Sequence, residues 1–287
     1  MNQLFSLYIV KYSLFSLLVF SLLTACQKEE LIIPSQLENV DHQRIESRST
    51  APMADAHDAL VAIEWYRMVN ELIKTTPGYT PPVASRALGY IGVGFYEAMY
   101  PGNPGRMSLA GQLTDLHEEM LPFVDFEDHY HWGIIANSYF LRMTEHLFPN
   151  ATETTKQAVN TLYWQWADNY FDYDLVEFGD REQIMERSVD FGFAMADAIF
   201  EWSAADAIGH EGYLKNFPSD YTMPQGREHW QPTGSQLIPL QPYWGQVRTF
   251  IPNSSNSISL KAPIPFLLLR TLFSSGKLER SIMLDKN

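Results

Sequence analysis

Pro81-Pro-Val-Ala-Ser-Arg-Ala-Leu-Gly-Tyr-Ile-Gly-Val-Gly-Phe-Tyr-Glu-Ala-Met99 is the stretch on which the fold class turns. Pro81-Pro82 suits the first turn of a helix, where the missing N–H has no partner to lose. The helix predicted behind it, Val83 to about Met99, carries Ala84, Ala87, Gly89, Gly92, Gly94 and Ala98. An interior glycine costs up to about 1 kcal/mol relative to alanine, so three of them demand a compensating gain. Close approach of neighbouring helices supplies one. A nucleotide loop does not, because no strand precedes Gly92-Val93-Gly94 and no third glycine follows at the required spacing.

The same helical character extends to both sides. Upstream, Asp55 is placed to cap a run in which Leu60, Ile63, Met68 and Leu72 recur, ending at Pro77-Gly78. Downstream, Pro101-Gly102-Asn103-Pro104-Gly105 breaks the pattern and a looser stretch runs to about Asp125. A third helix is predicted from about Glu127 to Phe148. Asn150, with Glu153 three residues on, marks the start of a fourth that reaches about Phe171. After the acidic loop 172–174, a fifth spans roughly Asp180 to Ser203, with Ile184, Val189, Phe193 and Ile199 along one face and Gly192 as a contact point. Residues 206–266 then hold eight of the 17 prolines, interleaved with Phe217, Tyr221, Trp230, Tyr243 and Trp244. Such segments drape over a helical core and line a pocket. Strand-like alternation is nearly absent. The predicted class is mainly α: a helical bundle with a long irregular segment rich in proline and aromatics.

Composition narrows the function. A net charge of −14 leaves no basic surface for nucleic acid. Seventeen Phe, 15 Tyr and 7 Trp are too many for a disordered chain. The single cysteine excludes a disulfide framework or a cysteine-rich metal site, and its place is informative. Lys11 is the one charged side chain before Ala25. An apolar run from Tyr12 then meets Leu23-Thr24-Ala25-Cys26, the pattern of an export signal. Leu-Thr-Ala-Cys resembles the bacterial lipoprotein box, which implies a lipidated Cys26 as mature N-terminus and a membrane as partner. Glu29-Glu30 resembles surface-export signals of some bacterial lipoproteins. The expected organisation is a signal peptide over 1–25, a polar tether over 26–54, a helical region over 55–266 and an atypical tail over 267–287. In that tail Arg270, Lys277, Arg280 and Lys286 outweigh Glu279 and Asp285. An outer-membrane anchor on the periplasmic or the surface face is the expected location.

No constellation singles out a catalytic, cofactor-binding or metal-binding residue. Asp125, Asp128, His129 and His131 crowd together near His117, but histidines at i and i+2 of a helix point to different faces. Helix N-terminal acids with surface histidines account for them, and for Asp55, His57 and Asp58. A serine hydrolase would want Gly-x-Ser-x-Gly, which does not occur. The 34 acids offer many carboxylate pairs and favour none. Asp197, between Ala196 and Ala198, reads as a partly buried polar residue of helix packing. Trp164, Trp166, Trp230 and Trp244 are candidates to stack on sugars, which keeps open a glycan-binding surface lipoprotein of a nutrient importer.

Several segments together carry a resemblance. Ala84 to Pro101, Phe200-Glu-Trp-Ser203, Gly209-His-Glu-Gly-Tyr213, Asn216-Phe-Pro218, Trp230-Gln-Pro-Thr233 and above all Leu240-Gln-Pro-Tyr-Trp-Gly-Gln-Val-Arg-Thr-Phe250 resemble bacterial vanadium-dependent haloperoxidases of the type-2 phosphatidic acid phosphatase superfamily. The resemblance covers about Asp55 to Phe266. It implies a helical bundle that holds vanadate, or phosphate in the phosphatases, and either oxidises halide with hydrogen peroxide or hydrolyses a phosphoester. The family's oxyanion residues are a Lys with an Arg, a Ser-Gly-His, and an Arg followed by a His. None can be placed here. Ser-Gly-His is absent, Ser275-Gly276 is followed by Lys277, no His lies beyond His229, and Arg248 belongs to the Trp-Gly-x-x-Arg stretch before the catalytic part. No catalytic residue and no cofactor is therefore expected for this chain, although vanadate is the cofactor of intact relatives. After Phe266 the family pattern stops and the charge reverses, so a frameshift product inactive on its own is expected, with a catalytic half or a second copy as open partners.

Overall fold

The computed structural model describes residues 53–173, 181–226 and 229–256. Every described residue belongs to one compact unit, which lies within Ser47–Asn287. The expected signal peptide, Cys26, nearly all of the tether and the tail 267–287 lie outside the described residues.

Five helices appear where the sequence places them: α1 (Leu60–Thr75), α2 (Pro81–Met99), α3 (Trp132–Leu147), α4 (Glu153–Tyr173) and α5 (Arg181–Ala204). No strand occurs among the described residues, and the class is mainly α. The helix starts differ in instructive ways. Asp55 falls in a short turn, Ala54–Ala56, and the Asp58 carboxylate accepts from the Leu60 N–H instead (2.9 Å). The third helix begins at Trp132 rather than Glu127. Asp125 folds back on the Glu127 N–H (3.0 Å) to close a turn, and His131 takes the cap by accepting from Ile134 N–H through Nδ1 (3.1 Å). His131 is thus a buried structural residue and not a surface one. Asn150 does not cap the fourth helix either. Its amide donates to the Pro77 carbonyl (3.2 Å), and the Thr152 hydroxyl accepts from Thr155 N–H (3.2 Å).

The core is organised around α3, which packs on each of the other four helices and most extensively on α5. Its residues from Trp132 to Leu141 are all buried. On α1 the buried stripe is Val61, Trp65, Val69 and Leu72, which corrects the expected face. Leu60 and Ile63 stay about half exposed because Trp65 claims the interior, stacked on Phe140 and donating its indole N–H to Asn137 (2.8 Å).

The glycines mark the closest approaches. A Cβ on Gly94 would collide with Tyr139 of α3 and Ile199 of α5, and one on Gly192 would meet the Ile135 carbonyl at 2.7 Å. On Gly89 it would meet the Phe250 ring at 2.6 Å, so that notch receives the irregular segment and not a helix. Gly92 has only the Tyr66 hydroxyl nearby, at 3.9 Å. Gly192→Ala is expected to lose about 1–3 kcal/mol in urea denaturation through overpacking. Gly92→Ala is expected to gain up to about 1 kcal/mol, since the space is open and only helix propensity changes.

Candidate functional site

Four of the segments that carry the family resemblance, 84–101, 200–203, 209–213 and 240–250, gather around one buried carboxylate. Asp206, at the turn that ends α5, is 1% exposed and pairs with Arg86 of α2 at 2.6 Å. Arg86 is 8% exposed, which is deep for a guanidinium. Its Nε donates to the Tyr90 hydroxyl (2.9 Å), and that hydroxyl donates to Asp206 Oδ2 (2.9 Å). The other oxygen, Oδ1, accepts from the backbone N–H of Gly209 (3.0 Å) and of Arg248 (3.2 Å). Aromatic rings close the node. The Arg86 guanidinium lies 3.9 Å over Phe250 and 4.8 Å over Tyr90, while that of Arg248 lies 4.7 Å over Trp202. Burial pushes the Tyr90 phenol well above its usual range, so it is a neutral donor at any physiological pH.

Position in the helix brings Arg86 and Tyr90 together, since i and i+4 share a face. The irregular segment after α5 is then fixed to the bundle at three places. Thr114 N–H donates to the Phe250 carbonyl (2.8 Å), Arg248 donates to the Trp202 carbonyl (2.9 Å), and Gln241 joins a second polar hub. In that hub Asn216 donates to the Gly78 carbonyl (2.7 Å) and accepts from Thr80 (2.7 Å) and Gln241 (3.0 Å).

A second cluster lies on the partly exposed side of α3 and α5. Asp197 accepts from Arg142 (2.8 Å) and His146 (2.5 Å). Burial pushes its carboxyl up, but the bonds from Arg142 and His146 outweigh that and hold it below the ordinary value. It is a satisfied packing residue, as the sequence suggests. His146 stacks on Phe200, which in turn meets His210. His210 Nδ1 lies 2.7 Å from the Ser203 hydroxyl, and that hydroxyl donates to the Phe200 carbonyl (2.6 Å). The Ser203 proton being spent there, His210 Nδ1 carries the hydrogen of this pair. Ser203 is wholly buried and presents no nucleophile.

The other residues singled out from sequence are not gathered into one site. Arg187 bonds the His129 carbonyl (2.9 Å) and pairs with Asp128 (3.2 Å). Trp164 and Trp230 are 61% and 49% exposed, whereas Trp166 donates to Glu64 (3.1 Å). No ring contact joins any two of Trp164, Trp166, Trp230 and Trp244 among the described residues. No cluster of three or more His, Cys, Asp or Glu that would hold a metal occurs there either. A shallow cleft of about 450 Å³ between Phe123, Tyr130 and the outer face of α5 contains none of the proline-rich segment expected to line a pocket. Sequence reasoning missed Arg86, Tyr90 and Asp206 as a unit; the available signal was an arginine on the buried, small-residue face of α2.

Among solved structures, the chain is similar to that of the first bacterial vanadium-dependent iodoperoxidase, with a TM-score of 0.51 and 24% identity. The chain has a haloperoxidase-like helical fold. The likeness covers 71% of this chain and 47% of that one, so the chain spans about half the length of the iodoperoxidase. No family model and no curated protein sequence matches it.

Vanadate does not fit the residues at the node. An oxyanion site needs several uncommitted donors around an open cavity. Here Arg86 Nη2 and Arg248 Nε lack hydrogen-bond partners, but the cavity is not open: the anion position is filled by the buried Asp206 carboxylate, which neutralises Arg86, while Arg248 is directed at Trp202 and Asp115.

Burial lowers the His210 pKa, outweighing the neighbouring Glu211. The folded state therefore favours the neutral ring: stability is full above the unfolded value near 6.5 and falls as pH drops through and below it. Urea titrations at pH 7.5, 6.5 and 5.5 are expected to show this loss, with a shallower slope in His210→Gln.

Proposed function

We propose that the chain is the N-terminal helical part of an exported, lipid-anchored protein of the vanadium haloperoxidase and type-2 phosphatidic acid phosphatase type, and that it carries out neither chemistry alone. One observation supports this above the others. Segments 84–101, 209–213 and 240–250, which resemble the family, meet at the Arg86–Asp206 node within a fold like that of a vanadium iodoperoxidase, yet the anion position there is filled by the chain's own buried carboxylate. The 287 residues also contain no Ser-Gly-His. The anion chemistry of the proposed whole protein belongs to sequence that is not in this chain, and translation of the DNA after codon 266 in the other frames is where Ser-Gly-His and a late Arg-His pair are expected.

The direct test is activity. Purified residues 26–287, given vanadate, hydrogen peroxide and bromide or iodide, are expected to halogenate no faster than a protein-free blank, and to leave p-nitrophenyl phosphate intact. Turnover that depends on vanadate would overturn the reading. The anchor is tested separately. Mass spectrometry of membrane-extracted protein is expected to find a mature N-terminus at Cys26 carrying acyl mass, and Cys26→Ser is expected to release the chain to the soluble fraction. No helix among the described residues is long and apolar enough to cross a membrane.

A further inference from the structure

We propose that Asp206 is a resident anion: its carboxylate fills a hole, built jointly by the bundle and the irregular segment, that would otherwise bind a free carboxylate of acetate size. Nothing in this inference rests on the haloperoxidase reading.

Three hydrogen-bond donors and one guanidinium charge converge on this one carboxylate from three separate parts of the chain. Oδ2 faces the Arg86 guanidinium at 2.6 Å and the Tyr90 hydroxyl at 2.9 Å, both from α2. Oδ1 takes the Gly209 N–H at 3.0 Å from the turn after α5, and the Arg248 N–H at 3.2 Å from the irregular segment. Oδ1 thus accepts two hydrogen bonds, Oδ2 accepts one and faces the guanidinium charge, and the group is sealed from water at 1% exposure. The backbone is shaped for the anion as well. A Cβ on Gly209 would come within 2.9 Å of Asp206 Cγ and 3.2 Å of Arg86 Nε, so only glycine lets its amide approach this closely.

The donor set also selects the class of anion. Arg86 is the one guanidinium whose charge reaches the carboxylate. The Arg248 head group is turned away to the Trp202 carbonyl and Asp115, and contributes only its amide. The hole therefore balances a single negative charge on a flat group whose two oxygens lie in one plane. A tetrahedral dianion such as phosphate or vanadate brings a further oxygen and a further charge, and the surrounding Phe250, Tyr90 and Trp202 rings offer neither a donor. Replacing Asp206 by glycine removes a CH2–COO− group and leaves room for acetate. The covalent tether gives the native carboxylate an effective concentration that free anions cannot match, so the unaltered protein ignores them.

The experiment is chemical rescue of the mature chain, residues 26–287. Thermal midpoints are measured at pH 7 and constant ionic strength in chloride, acetate or phosphate. Asp206→Gly is expected to melt below the unaltered protein in chloride. Acetate at 100 mM is expected to raise its midpoint by about 4 °C, the shift for an affinity of about 10 mM in a chain of this size, and to saturate. The unaltered protein is expected not to respond, nor is Arg86→Met/Asp206→Leu, in which both charges are gone. Acetate that does no more than chloride for Asp206→Gly, or phosphate that does as well as acetate, would overturn the proposal. If Asp206→Gly does not fold in chloride, its refolding yield is the readout: a higher yield in acetate supports the resident-anion role, and equal yields refute it.

Discussion

Everything after α5 hangs on the contact between Arg86 and Asp206. A buried guanidinium or carboxylate alone is severely disfavoured, and either one left without its partner destabilises a fold by about 3–5 kcal/mol. The pair gives each its counter-charge. It also recruits Tyr90 and two backbone amides, which ties α2 to the turn at Gly209 and to the segment around Arg248. An apolar pair of equal volume would hold the same space without specifying where each oxygen sits. Three directed bonds and the ion pair set the registry of an irregular segment that has no helix or sheet pattern to do so.

The second constraint is steric and comes from α2 itself. Gly94 lets Tyr139 and Ile199 press against the helix from α3 and α5, and Gly89 lets Phe250 enter from the irregular segment. These are two faces of one helix serving two different partners. Between them, the Tyr139 hydroxyl donates to the Ile91 carbonyl (2.9 Å), an extra bond to a helix carbonyl made possible by the close packing.

Much of the fold was legible in the sequence because helices announce themselves locally. Prolines bounded α2, and Gly192 stood out as a contact point of α5, which the structure fills with α3. The errors were local too, and share one cause: short polar side chains have several partners available, and tertiary structure chooses among them. Asn150 went to the Pro77 carbonyl rather than to its own helix, and Asp125 closed a turn upstream of α3. On α1 the bulk of Trp65 outweighed Leu60 and Ile63 in deciding which face turned inward. The node was harder to see. Arg86, Asp206 and Arg248 are separated by 120 and 42 positions, and no periodicity links them. Resemblance marked the segments of Arg86 and Arg248, but neither Asp206 nor the convergence of the three.

The Phe250 ring in the notch at Gly89 also bears on the order in which the chain is made. A ribosome delivers residues at about 5–20 per second from the N-terminus, so α1 to α5 are complete well before Phe250 emerges. Through that interval the Gly89 notch is bare, and the Asp206 carboxylate lacks the Arg248 amide. The nascent bundle is therefore one piece short when it first becomes able to pack, and its final closure waits on contacts more than 130 residues apart. A chaperone or protease meeting the chain in the cell during synthesis finds its opening there, at the seam between α2 and the end of α5.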